Sequence, residues 1–386
     1  MTDLVRNERV RHSRSHKPVR FVSPDGGGTG IEITVDDVSV SAFQEAASAP
    51  NTRLGYRTDW KGFEMWCAAR QYATLPAEPV TVARYLAHSA NLVDERGDWF
   101  YAPNTISRWL AAINKAHELA GFAKPGHDPH VTQTVDGIRR ERARPEARKA
   151  PLLLADLRRT LAEIDLNSWP HGVIGHRDSA LLLMGFTGAY RRSELAALEI
   201  GDVRLHTEDG LHVLLRKSKT DQEGSGLVKG LPYGSNSLTC SPCAFVRWVR
   251  VLAAGNRPAL MSVLRDAATA KHICRGPVPE LEGLVRLDPH APVFRPVMKN
   301  GAIKERAITG AVVNGVLQRR VSAVGMNSSA YGAHSLRAGF VTEAFRAGAT
   351  HHEVMRQTGH TDISTLEVYS RENNPLAHNA VTRLGF

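Results

Sequence analysis

The sequence predicts a mainly α-helical protein of two domains, with a small antiparallel β-sheet set into the second. Three observations carry that reading. At 386 residues the chain is too long for one ordinary core and suits two. Apolar residues recur at helical spacings through residues 35–137 and again through much of residues 151–386. Only VRLHTEDGLHVLLRKSKT and the LVKGLPY after it read as strands, joined first through an Asp209-Gly210 turn.

Composition narrows the class. Hydrophobic residues make up 42% of the chain and charged residues 23%, as in a soluble globular protein. No run of about 18 apolar residues occurs and the N-terminus is polar, so neither a membrane span nor a signal peptide is expected. Four cysteines without a framework spacing fit a reducing cytoplasm. A formal charge of +10 points to a polyanionic partner, with nucleic acid first in line.

Residues 1–34 are polar and arginine-bearing and end in a run of glycines, which predicts a disordered basic tail. Residues 35–137 are expected to form an all-helical domain. Tyr56, Trp60, Phe63 and Cys67 make one apolar stripe. Val82, Tyr85 and Leu86 belong to a second helix opening at Pro79. A third helix is expected to be capped by Asn104, with Ile106, Leu110, Ile113 and His117 on its core face and Gly121 ending it. Ser107, Arg108, Asn114 and Lys115 lie on the opposite face, where they suit either a wet helix surface or contacts to DNA. Residues 138–150 read as a basic interdomain linker: IRRERARPEARK carries six basic residues against two acidic ones. Arg139, Arg140 and Arg142 would add phosphate contacts there.

Residues 151–386 form the second predicted domain. Leu153, Leu157, Leu161 and Ile164 mark its first helix, and a strongly apolar helix covers Asp178 to Phe186. After the sheet the pattern returns to helix, with a proline-rich excursion around Gly276–Pro296. The last residues, with Ala377, Val381 and Leu384, predict a short amphipathic tail helix. Cys240 and Cys243 form a C-x-x-C. A structural zinc needs a second ligand pair, and only His272 with Cys274 is near, at a poor spacing. No metal is therefore expected, and the two thiols read as small buried side chains at a helix start.

The candidate chemistry lies in three places. Arg191 and Glu194 are three apart on a helical face. His334 and Arg337 stand at a helix start, a setting that suits an anion. Gly359-His360 is followed nine residues later by Tyr369. In this order, with a hairpin lysine between the first and second pairs, the set resembles the catalytic motif of the tyrosine recombinase (phage integrase) family. LPAEPVTVARYL and NTISRWLAAINKAHELAG look like DNA-clasping helices of that family, so the resemblance runs from about Asn51 to the end.

The resemblance implies a two-domain, C-shaped DNA clamp. It makes Arg191 and Arg337 the phosphate-binding arginines, Glu194 their supporting acid, Lys219 the hairpin lysine, His334 and His360 the two histidines, and Tyr369 the nucleophile. Lys217 rivals Lys219, and Tyr331 rivals Tyr369 by proximity alone. Thr358 departs from the family, many of whose members have leucine there, and the expected effect is on packing. The implied activity is site-specific recombination without metal, ATP or other cofactor. The implied partners are double-stranded DNA carrying an inverted-repeat site and three further copies of the chain. A nicking-closing or hairpin-forming enzyme with the same residues, and a non-catalytic DNA-binding relative, are the other classes this sequence allows.

Overall fold

The computed structural model describes residues 49–143, 148–216, 226–266, 271–275, 287–363, 366 and 384. The chain divides into two compact units between Glu146 and Ala147. As expected, it is mainly helical, and its described strands form one three-stranded antiparallel sheet.

The first unit is built from α1 (Pro50–Ala68), α2 (Pro79–Ala90), α3 (Pro103–Leu119) and α4 (Pro129–Glu141). All four begin on proline, whose fixed φ starts a helix and whose missing N–H is not needed there. This corrects the expected cap of α3. Pro103 opens that helix after an extended Ala102, so Asn104 already lies inside it and caps nothing. The predicted stripes face one core in which Phe63, Cys67, Val82, Leu86, Ile106, Ile113 and Val131 are fully or almost fully buried. His117 joins them because both ring nitrogens find partners: Nδ1 meets the Ile113 carbonyl at 2.8 Å, and Nε2 accepts from Ala77 N–H at 2.9 Å.

In the second unit, α5 (Leu154–Ala162) precedes α6 (His171–Thr187), which is buried almost all round and so reads as apolar without a clear stripe. Its charged residue Asp178 is fully buried and neutralised by three arginines: Arg177 at 2.7 Å, Arg319 at 3.0 Å and Arg320 at 2.7 Å. The last two lie on α10 (Gly310–Ala323), so this carboxylate fastens α6 to α10. The short α7 (Arg192–Ala196) leads into β1 (Val203–His206), β2 (Gly210–Leu215) and β3 (Leu227–Leu231).

The register pairs His206 with Gly210 and Leu211 with Leu231. Gly210 takes φ +113° at the predicted turn, a conformation other residues rarely adopt. Then come α8 (Ser241–Ala253), α9 (Arg257–Asp266), α10, α11 (His334–Arg346) and α12 (His351–Thr358). Ser335 O on α11 accepts from Leu152 N–H at 2.9 Å, and Gly339 lets α11 pass close to that same backbone. No described helix is long and apolar enough to cross a membrane.

Candidate active site

Three backbone features set out the site. The chain leaves α6 through Gly188 and Ala189, the latter at φ +46°, and Arg191 then caps α7. The first turn of α11 carries His334 and Arg337 on one side. Gly359, left-handed at φ 70°, ends α12 and turns the chain so that His360 comes back over it.

Glu194 holds Arg191 twice. Its carboxylate accepts the Arg191 backbone N–H at 2.9 Å and the guanidinium Nη1 at 2.7 Å. The glutamate is buried while the arginine is about one-fifth exposed, at 21%. A buried acid thus fixes both the base and the head of a side chain that still reaches solvent.

Arg337 is 2% exposed and connects the other pieces. Its Nη1 donates to the carbonyls of Ala189 at 2.7 Å and Thr358 at 2.8 Å, and its Nη2 meets His360 Nε2 at 2.9 Å. One guanidinium therefore joins the turn before α7, the helix α11 and the turn after α12.

The hydrogen-bond chain fixes the tautomer of His360. An arginine can only donate, so Nε2 must accept and Nδ1 carries the proton. Nδ1 lies 2.9 Å from Thr358 Oγ1, which itself donates to Val354 O at 2.8 Å and so offers Nδ1 a lone pair. This corrects the expectation that Thr358 affects packing alone: its hydroxyl accepts from the protonated Nδ1 of His360 and holds the ring in place.

Both histidines are kept neutral. His360 is pushed down from 6.5 to about 3, first by burial and then by Arg337, Arg191, His334 and Lys229. His334 shifts the same way, through burial and then Arg337, Arg148 and Arg191. The unfolded chain takes up protons on these imidazoles where the folded chain does not. For His360 the fold accordingly loses stability as pH falls from 6.5 toward about 3, and this contribution is flat above that window.

Lys229 is a member of this cluster that the sequence reading missed. It is 1% exposed, donates to Gly188 O at 2.7 Å and lies 4.7 Å from the centre of the Tyr190 ring. Burial, helped by Arg337 and Arg191 and opposed by Glu194, lowers its ammonium to about 7. The signal was present: in Leu227–Leu231 the period of two puts Lys229 on the inward face with Leu231.

The structure thus brings Arg191, Glu194, His334, Arg337 and His360 together. Lys219, its rival Lys217, and Tyr369 lie outside the described residues, as does the expected tail helix apart from Leu384. Leu366, three residues before Tyr369, is fully buried against Val341 of α11 and Val354 of α12. Tyr331 is part-buried before α11, and burial raises its phenol, the wrong direction for a nucleophile. Chemically, two fixed guanidiniums with neutral imidazoles beside them suit an oxyanion such as a phosphodiester.

The candidate DNA contacts of the first unit are largely occupied within it. Arg108 forks onto Asp59 at 2.8 and 3.0 Å, and Lys115 pairs with Glu118 at 2.8 Å. Ser107 accepts from Arg139 at 3.1 Å. Arg139 and Arg140 are exposed on the last turn of α4, so residues 138–141 are helical where an extended linker was expected. Arg142 is a correction: only 5% exposed, it stacks 3.4 Å over the Trp99 ring and donates to Asn91 Oδ1 at 2.8 Å. It pins its own unit rather than lining an exposed linker.

The Thr358 assignment has a direct test. Thr358→Val should lower single-turnover cleavage of DNA about tenfold, the equivalent of one net hydrogen bond lost. Binding of intact DNA should be unchanged, and Thr358→Ser should restore the rate. Equal loss in both variants would reject the role of the hydroxyl.

No protein-family model matches the chain. An integrase/recombinase xerD homolog of Selenomonas ruminantium is 29% identical over 343 residues, covering 88% of this chain and 87% of that one. Recombinase cre of Escherichia phage P1 is 22% identical over 322 residues, covering 81% of each. Among solved structures, the Tn1549 transposon integrase with a circular intermediate DNA is 17% identical, at a TM-score of 0.49 over 86% of this chain and 92% of that one. Over more than four-fifths of its length the chain is thus similar in sequence to integrases and recombinases, recombinase cre among them.

Proposed function

We propose that the chain is a site-specific DNA recombinase that cuts and rejoins strands through a 3′-phosphotyrosyl intermediate. The observation that carries the reading is the pairing of Arg191 on a buried Glu194 with Arg337 on Ala189, Thr358 and His360. Parts distant in sequence converge there as an anion site on a chain related to recombinases.

Attack by the Tyr369 phenol oxygen forms the phosphotyrosyl bond as the bond to the 5′ oxygen breaks. Negative charge grows on the two non-bridging oxygens, where Arg191 and Arg337 act; such donors contribute about 3–4 kcal/mol each in comparable sites. The phenol, with an ordinary pKa of about 10, needs its proton taken, and the lowered His334 is a base free of charge at neutral pH. The departing 5′ oxygen needs a proton, which we assign to Lys219, because Lys229 is already committed to Gly188 O. The covalent bond conserves the energy of the phosphodiester, so a 5′-hydroxyl from another strand can reverse the step without ATP.

Residues 35–137 would grip the duplex with residues 151–386 on the scissile phosphate, joined by 138–150. Four copies would synapse two inverted-repeat sites at the nucleoid and exchange strands through a Holliday junction. The tail after Tyr369 would dock on a neighbouring copy.

The test starts from duplexes recovered from a random pool by binding to the chain. Two copies of such a site on one plasmid should give deletion or inversion products. Relaxation of supercoils without exchange would instead identify a nicking-closing enzyme, and no strand breakage at all would overturn the reading.

A further inference from the structure

Far from the arginines in sequence, four metal-binding side chains meet at the start of α8. Cys240 is the residue before that helix and Cys243 lies in its first turn; His272 and Cys274 come from the segment after α9. Their ligand atoms all lie within 4.8 Å of one another. Cys240 Sγ is 3.7 Å and Cys243 Sγ 3.2 Å from Cys274 Sγ, while His272 Nδ1 is 3.4 Å from Cys243 Sγ and 3.7 Å from Cys274 Sγ. A tetrahedral zinc with Zn–S of about 2.3 Å and Zn–N of about 2.0 Å has S–S edges of about 3.8 Å and S–N edges of about 3.5 Å. Three of these four separations lie within about 0.2 Å of those edges, and the Cys243–Cys274 pair at 3.2 Å is closer than an edge.

Three further observations point the same way. His272 turns Nδ1 inward, and its Nε2 lies 3.4 Å from Ser235 O, the outer partner that leaves a ligating histidine its inward lone pair. Cys240 Sγ accepts from Gly234 N–H at 3.3 Å, which favours a thiolate. One turn after Cys243, Arg247 is 4% exposed, and its Nη2 has no hydrogen-bond partner. Zinc with three thiolates and a neutral imidazole carries one net negative charge, and a buried guanidinium beside it balances that charge. The three cysteines are themselves buried, and Val246, Leu205, Tyr233 and Ile273 pack around them.

We propose that Cys240, Cys243, His272 and Cys274 bind one structural Zn²⁺. Four protein ligands leave no open position for substrate, so the metal is a fastener. It would tie the segment after α9 to the core helix α8, which α9 does poorly alone: Leu264 is its only buried residue. The sequence spacing concealed the site. His272 and Cys274 lie about thirty residues beyond Cys243, and only the bends and turns of residues 271–275 bring them to the start of α8.

The full-length chain, purified without added metal and passed through gel filtration, should carry one zinc by mass spectrometry. A mercurial thiol reagent should release it, and exchange with Co²⁺ should give thiolate charge-transfer and tetrahedral absorption bands. Cys243→Ser and Cys274→Ser should each lose the zinc and melt several degrees lower. His206→Ala/His212→Ala should keep it; that change removes the exposed His206, Asp209 and His212 group as another source of metal. A folded chain with no metal, a mass two hydrogens short from a disulfide, bound iron in place of zinc, or zinc kept by Cys274→Ser would each overturn the proposal. The cobalt spectrum of the unmodified chain decides the matter even where a variant does not fold.

Discussion

Replacing Tyr369 by phenylalanine is expected to abolish covalent capture of nicked DNA while leaving binding of intact DNA within about twofold. The substitution removes one oxygen and little volume, so neither packing nor charge changes much. The oxygen is nevertheless the atom that would bond to phosphorus. A suicide duplex with a nick beside the scissile phosphate loses its short 5′-hydroxyl fragment after attack, so the unmodified chain should accumulate as an adduct resistant to denaturing electrophoresis. Tyr331→Phe should trap normally, because that phenol is raised by burial and stands before α11. Adduct formation by Tyr369→Phe, or its loss in Tyr331→Phe alone, would move the nucleophile to Tyr331.

Arg337→Lys is expected to lose both rate and stability, whereas Arg191→Lys should lose mainly rate. Lysine keeps the charge but cannot span the carbonyls of Ala189 and Thr358 and the ring of His360. Losing one such donor typically slows the chemical step by about 10²–10³-fold. The buried carbonyls left behind add about 1–3 kcal/mol of instability each. Arg191 reaches solvent and rests on one carboxylate, so Arg191→Lys should show a comparable loss of rate with a small change in stability. Single-turnover cleavage and denaturant unfolding separate the two. A fully stable Arg337→Lys would show that the guanidinium does not hold the site together.

Much of this was legible beforehand, and what was hidden has physical reasons. Spacing was enough where a contact is local: Glu194 supports Arg191 three residues away, and the Asp209-Gly210 turn sets the hairpin register. It was not enough where a side chain's partner is remote. Arg142 reads as one more basic residue in IRRERARPEARK, and nothing nearby announces that Trp99 and Asn91 wait for it. Arg108 likewise looked free until the fold brought Asp59 beneath it. Thr358 needed the left-handed turn at Gly359 before its hydroxyl could meet a ring two residues on. Lys229 could have been found, since strand alternation already pointed it inward.

The three-way grip of Arg337 bears on the order in which the site can form. During synthesis Arg191 and Glu194 emerge first, α11 follows, and the Thr358 carbonyl and His360 come after both. A chain released before that point has no second anchor for Arg337 and no ring beside it. A chain cut short before Thr358 would carry Arg191 and Arg337 without the contacts that aim the second of them. The anion site is therefore complete only once residues 358–360 have joined α11.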